Sequence, residues 1–181
     1  MSGLTGDWGK INNILNPAKL RKSIRQCAAK VGNYGVSEVK KGIQSGAPAG
    51  QNFEPLQALT VWTKGSSKPL IDHGDLLGSV NYQVFNDNDG VFIGVKKGAK
   101  RKDGKDAVQI AAVHEFGCTI PVTDKMRRAF AAKFQGIGIR KETTHIYIPP
   151  RPFLRPIFQS PDFQNMVSQI YVSALREVFM T

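Results

Sequence analysis

Val80-Asn-Tyr-Gln-Val-Phe-Asn-Asp-Asn-Asp-Gly-Val-Phe-Ile-Gly-Val95 decides the fold class. Val80, Tyr82 and Val84 alternate with Asn81 and Gln83, the period of a strand with one buried face. Asn86-Asp-Asn-Asp-Gly90 is made of residues that favour turns, and Val91, Ile93 and Val95 then resume the alternation. Two period-two runs around a Gly-ending Asn/Asp turn predict a β-hairpin.

Upstream, the pattern is helical. Asn16 suits an N-cap and Pro17 the first helical position, where its missing N–H costs nothing. Leu20, Ile24, Cys27, Ala28, Val31 and Tyr34 recur at three- and four-residue steps, and Val36, Val39 and Ile43 carry the stripe to Ser45. Lys19, Arg21, Lys22, Arg25 and Lys30 fall mostly off the stripe and give the helix a basic face. Gly32 and Gly35 weaken its middle and mark a place for a kink or interruption. Residues 45–52 are a breaker cluster, Glu54–Trp62 suits a short helix, and Asp72–Leu77 reads as one more helical turn capped by Asp72.

Downstream, Ala107–Phe116 reads as a helix stopped by Gly117, and Lys125–Phe134 as a basic helix ending near Gly136 or Gly138. Thr144, Ile146 and Ile148 alternate in a third strand that runs into Pro149-Pro150. Ser160-Pro161-Asp162 opens a last helix with Phe163, Met166, Val167, Ile170, Tyr171, Ala174, Val178 and Phe179 at helical steps. The order predicts an α+β fold, with a long N-terminal helix and a C-terminal helix packed on a small antiparallel sheet containing the hairpin. Residues 1–16 stand apart as an arm, and residues 17–181 form a single domain. Trp8 either anchors the arm on a partner or tucks onto its own core.

The 181 residues carry 25 Lys+Arg against 14 Asp+Glu, a balance of +11 that points to an anionic partner. With 41% hydrophobic residues, the chain can form a core, which excludes a wholly disordered protein. No run approaches the roughly 18 apolar residues of a membrane helix. The N-terminus lacks a secretory pattern, which predicts a chain made and used in a cytosol. Cys27 and Cys118 lie too far apart for a CxxC motif and read as reduced, buried or half-buried thiols.

Catalytic groupings are sparse. His114-Glu115-Phe116-Gly117 opens like a zincin motif, but Cys118 stands where the second His belongs and no third ligand is spaced to help. Asp72, His73, Asp75 and Ser79 lack the elbow of a serine hydrolase, and Gly136-Ile-Gly138 lacks the remainder of a dinucleotide fingerprint. A non-enzymatic protein with no catalytic residue, metal or cofactor is expected. Residues 96–105 hold Lys96, Lys97, Lys100, Arg101, Lys102 and Lys105 and no large apolar side chain. This loop is expected to be exposed and mobile. It suits phosphate contact without base readout, or simple solvation.

Four segments in order carry a resemblance. They are Pro69-Leu-Ile-Asp-His-Gly-Asp-Leu-Leu-Gly-Ser-Val80, Val113-His-Glu-Phe-Gly117, Ile120-Pro-Val-Thr-Asp-Lys-Met-Arg-Arg128 and Thr144-His-Ile-Tyr-Ile-Pro-Pro-Arg-Pro-Phe-Leu154. Over roughly residues 17–180 the chain resembles the bacteriophage virion morphogenesis proteins of the tail-completion type, related to the Mu-like phage neck protein. The motif residues are Leu70, Asp72, Leu76, His114, Glu115, Phe116, Gly117, Pro150, Arg151, Pro152 and Phe153. The resemblance implies a structural virion protein of the neck, assembled in host cytoplasm as a ring, commonly of six subunits, around the channel that double-stranded DNA crosses. Its partners would be neighbouring neck or connector proteins and tail-tube or tail-terminator proteins, with no membrane and no cofactor. In that setting Phe116 would pack inward, Gly117 would take a left-handed conformation, and Arg151 would point outward while Phe153 and Leu154 return to the core. The arm and much of the basic loop lie outside the resemblance; their expected roles rest on charge and aromatic burial instead, with the six basic loop residues lining or approaching the lumen and Trp8 helping to close the ring. The alternative reading is a free, sequence-nonspecific DNA-binding protein.

Overall fold

The computed structural model describes residues 16–86, 90–99, 104, 106–134 and 138–180. The architecture is α+β, as the sequence predicts. Helix α1 spans Pro17–Ser45 without interruption. Asn16 caps it, its side-chain oxygen accepting from the N–H of Ala18 at 3.0 Å and of Lys19 at 3.4 Å. Gly46 ends it in the left-handed conformation, φ 75°.

The helix runs unbroken through Gly35, where the sequence leaves room for a kink or interruption, and the cause lies in packing. The buried face of α1 includes Gly32, Gly35, Val39, Gly42 and Ile43. A Cβ on Gly32 would fall 2.3 Å from the Tyr82 ring, and one on Gly35 would fall 2.6 Å from Ile93 Cδ1. The glycines are the seam along which the helix lies directly on the hairpin.

That hairpin is β1 (Val80–Val84) paired antiparallel with β2 (Val91–Val95), in the register Val80↔Val95, Tyr82↔Ile93, Val84↔Val91. Val80 and Val95 reach the core, whereas Phe92, paired with Gln83, is exposed on the opposite face. Asp87–Asp89 of the expected turn lie outside the described residues.

Between α1 and the hairpin, α2 covers Ala58–Lys64 and α3 covers Asp75–Ser79, both later than the sequence suggests. Asp72 does not cap α3. Gly74 occupies that position at φ 80°, and Asp72 instead lies beside His73. Just upstream, Leu70 holds φ 59° while the N–H of Ile71 donates to the carbonyl of Pro69 at 2.7 Å, a tight turn that leads the chain into α3.

Helix α4 (Ala107–Phe116) is capped by Asp106, which accepts from the N–H of Val108 at 2.8 Å. Strand β3 (Cys118–Pro121) follows, then α5 (Asp124–Lys133) and β4 (His145–Ile148). The third expected strand is β4, but it does not extend the hairpin. It pairs with β3 in a separate two-stranded sheet, Cys118↔Ile148 and Ile120↔Ile146. Alternation in β4 is legible alone; four residues ending in Pro121 are not. Helices α6 (Arg155–Gln159) and α7 (Pro161–Met180) complete the chain. Ser160 Oγ accepts from the N–H of Phe163 at 3.2 Å, the expected cap. Helix α1 packs against both the hairpin and α7, and Tyr34 stacks on Phe163 at 5.5 Å between centroids. Val31, Val39, Ile43, Leu76, Val80, Ala111, Phe153, Ile157 and Phe163 belong to one apolar core.

Candidate functional site

Motif residues of the second and fourth segments meet at the end of α4. Glu115 is buried at 7% exposure, although it is charged. Its Oε2 accepts from the N–H of Phe153 at 2.8 Å and of Leu154 at 3.0 Å, and its Oε1 from that of Arg155 at 2.9 Å. Those N–H groups open α6, so Glu115 supplies from a distant helix the cap that α6 lacks locally. Buried carboxylates persist where donors compensate lost hydration, and three amides do so here.

Arg151 stands on the other side of the clasp. Its N–H donates to the carbonyl of His114 at 2.6 Å, its Nε to Glu54 at 2.6 Å and its Nη2 to Pro55 at 3.0 Å, both through main-chain carbonyls. The expectation that Arg151 points outward is therefore overturned: it is 5% exposed. Burial pulls its pKa below the ordinary arginine value, and the charge of Glu54 opposes that shift. Phe153 is fully buried, Pro152 is half-buried, and Pro150 is exposed with its ring against Gly117.

Two further expectations fail at this corner. Phe116 does not pack inward but is 67% exposed, because the helical phase that buries Ala111 and Glu115 turns it out. Gly117 has the expected positive φ, 76°, but its ψ of 168° is extended, not left-handed helical. The extended step feeds the chain straight into β3. A Cβ there would fall 3.1 Å from the Ile148 carbonyl oxygen, so glycine is required by approach as well as by φ.

Two concavities flank the clasp. A polar cleft of about 530 Å³ is lined by Lys64, Leu70, Asp72, His73, Asp75, Leu76, His114 and Lys133, among others. His73 Nδ1 and Asp72 Oδ2 are 3.1 Å apart at its exposed margin. Lys64 donates to the Lys68 carbonyl, and burial lowers its pKa, partly offset by Asp72. Thr60 supplies a hydroxyl to this lining, and neither cysteine belongs to it. Among the described residues no group of three His, Cys, Asp or Glu side chains is placed to hold a metal. His114 and Cys118 are thus separated in role: the first faces the cleft, and the second starts β3.

The other concavity is an apolar groove of about 400 Å³ between β2, α4 and α6, lined by Phe92, Val108, Ala112, Phe116, Leu154 and Phe158. The Arg155 guanidinium covers one side of Phe116, 5.2 Å from its ring centre. No sequence pattern marks this groove: the alternation of β2 turns Phe92 outward, but nothing local shows that Phe116 of α4 and Phe158 of α6 come to lie beside it.

Of the basic loop, Lys96 is half-buried and Lys97 exposed, in a turn whose Ala99 carbonyl accepts from the N–H of Ala107 at 2.9 Å. Lys100, Arg101, Lys102 and Lys105 lie outside the described residues, as does Trp8. A second basic region is fully described. Lys125, Arg128 and Lys133 are exposed on α5, and Arg140 and Lys141 are exposed in the loop after it. Among the described residues no helix is long and apolar enough to cross a membrane.

Comparison with protein-family models, curated proteins and solved structures finds no match to this chain.

Proposed function

We propose that this chain is a structural subunit of a phage virion, acting at the neck to complete the tail or join it to the head as a ring around the DNA channel. The clasp carries the reading. Residues of two separate motif segments, His114-Glu115 and Arg151-Pro-Phe153, meet to close the fold and not to compose a reaction site. Their role is architectural, which is what the tail-completion resemblance implies for them.

Assembly is the second support. Phe92, Phe116 and Tyr147 are exposed at 38%, 67% and 65%, and the first two line the apolar groove. An apolar groove edged by two exposed phenylalanine rings suits a neighbouring copy. A balance of +11 per subunit would make copies repel unless the excess faced an anion, and DNA in the channel supplies one. The ring is expected to be hexameric, with neck, connector and tail-tube or tail-terminator proteins as further partners and the virion neck as its final location.

Negative-stain imaging of the purified protein, beside phage lacking it, tests the proposal. Rings in vitro, with filled heads and unattached tails in the deletion, are expected. Monomers at high concentration together with normal virions would overturn it. A free DNA-binding protein would instead bind duplex tightly as a monomer and leave virion assembly intact.

A further inference from the structure

Helix α5 has two faces. Met126, Arg127, Phe130 and Ala131 are half-buried, while Lys125, Arg128, Ala129, Ala132 and Lys133 are exposed. The exposed cations span nine residues, about 12 Å of helix from first to last. Over that length one strand of a duplex presents three or four phosphates, at about 3.4 Å each. The two alanines between the cations keep the face low, so a rigid backbone can approach it.

Arg127 extends this surface. It does not join the exposed face; its guanidinium donates to four main-chain carbonyls, Ile139 at 3.1 Å and Arg140 at 2.6 Å through Nη1, Lys141 at 3.2 Å and Thr143 at 2.7 Å through Nη2. A single side chain thus fastens the loop after α5 to the helix and holds exposed Arg140 and Lys141 beside it. The segment 124–145 carries six Lys and Arg against Asp124 and Glu142. Among the described residues, Lys125, Arg128, Arg140 and Lys141 form no ion pair. At the end of the stripe, Trp62 is 72% exposed and leans on Phe134, 6.3 Å between centroids, and Lys133 Nζ lies 5.8 Å from the same ring.

We propose that the exposed face of α5 and the loop tied to it by Arg127 bind the phosphodiester backbone of DNA. The choice of DNA as the polyanion rests on the neck reading; the geometry of the surface does not. This contact is distinct from the basic loop at 96–105 and is carried by a helix and a fastened loop. Pre-organisation matters because cations already held in place lose less freedom on binding. Arg127 acts as a positioning residue, its donors turned to carbonyls and away from phosphate. Trp62 is placed to stack on an unpaired base if the strand is single, and contributes little to a duplex.

The test is fluorescence anisotropy of the full chain with a labelled duplex and a labelled single strand, between about 50 and 200 mM salt. Wild type is expected to bind with affinity that falls steeply with salt. K125E/R128E should weaken binding roughly tenfold or more at the low-salt end and flatten the salt slope by about two. R140E/K141E should weaken it as well, and Arg127→Met should reproduce part of that loss with an unchanged far-UV circular dichroism spectrum. The control is K19E/K22E on α1, the same change of net charge elsewhere. Equal losses in K125E/R128E and the control, or no wild-type binding at low salt, would overturn the proposal. Quenching of tryptophan emission by the single strand in a Trp8→Phe background, abolished by Trp62→Phe, identifies single-stranded DNA as the ligand; binding of duplex without quenching identifies the double helix. Imaging the same variants separates the two readings. Intact rings with undiminished DNA binding in K125E/R128E sink the surface alone. Absent wild-type rings with selective loss of binding in that variant sink the neck reading and leave the surface standing.

Discussion

Glu115 Oε1 accepts the backbone N–H of Arg155 at 2.9 Å, yet the Arg155 guanidinium turns away and lies over the Phe116 ring. A glutamate and an arginine in contact therefore meet through main chain and not through charge. The carboxylate is committed to three amides at the start of α6, which leaves the arginine to border the apolar groove. One residue closes the fold, and its neighbour borders the apolar groove.

Glu115→Gln should be costly although it is nearly isosteric. An amide has one acceptor oxygen and would aim a donor at one of the three N–H groups. A loss of about 2–4 kcal/mol is expected, and Glu115→Ala, which strands all three donors, should lose at least as much. Urea denaturation of both variants measures this; a loss below about 1 kcal/mol would show that water replaces the carboxylate.

Gly35→Ala should destabilise, against the usual gain of about 1 kcal/mol for that change within a helix. The new methyl would sit 2.6 Å from Ile93 Cδ1 and 3.4 Å from the Phe163 ring, both in the core. A cost of about 1–3 kcal/mol is expected from overpacking. Ile93→Val removes the clashing Cδ1, so G35A/I93V should recover part of the loss. Additive losses in the double variant would place the conflict elsewhere.

These residues also show where sequence reading works and where it stops. The Asn16 cap, the α1 stripe, the β1 and β2 alternation and the Ser160 cap are legible because each signal lies within a few residues of its effect. Gly32 and Gly35 read as weak points because Tyr82 and Ile93, which need the room, arrive from another element. Arg151 reads as a surface residue because the carbonyls that hold it belong to Glu54 and Pro55, nearly a hundred residues earlier. Glu115 falls on the buried phase of its helix, a legible sign, but its three amides are invisible until the chain returns. The Arg127 clamp has no local signature either, since its acceptors are main-chain carbonyls.

On the proposed ring assembly through the groove, Phe116→Asp should abolish ring formation and leave the subunit folded. The side chain is 67% exposed, so replacing it removes little core, whereas a carboxylate in the groove opposes an apolar partner. Sedimentation velocity should show subunits in place of rings, with a thermal midpoint within a few degrees of wild type. Intact rings would move the contact away from this groove.

Cys27 and Cys118 should separate cleanly by reactivity. Cys27 is 2% exposed, its Sγ pointing to the Ile170 carbonyl, and Cys118 is half-buried at the start of β3. A thiol reagent should label Cys118 in the folded chain and Cys27 only on unfolding. Burial pushes the Cys27 pKa above its ordinary 9.0; Lys30 opposes the shift and Glu177 adds to it. Burial raises Tyr34 and Tyr171 above their ordinary 10.0 as well. In each case the folded state keeps a proton that the unfolded state has released, so stability is full below pH 9 and falls as pH rises beyond it. Lys64, with its pKa lowered, has the opposite sign and offsets part of the fall. Cys27→Ala should remove the earliest part of the alkaline loss, between about pH 9 and 10, at the expense of a smaller core side chain. Urea midpoints of wild type and variant across that range decide it: parallel curves would show that the buried thiol contributes nothing to the alkaline limit.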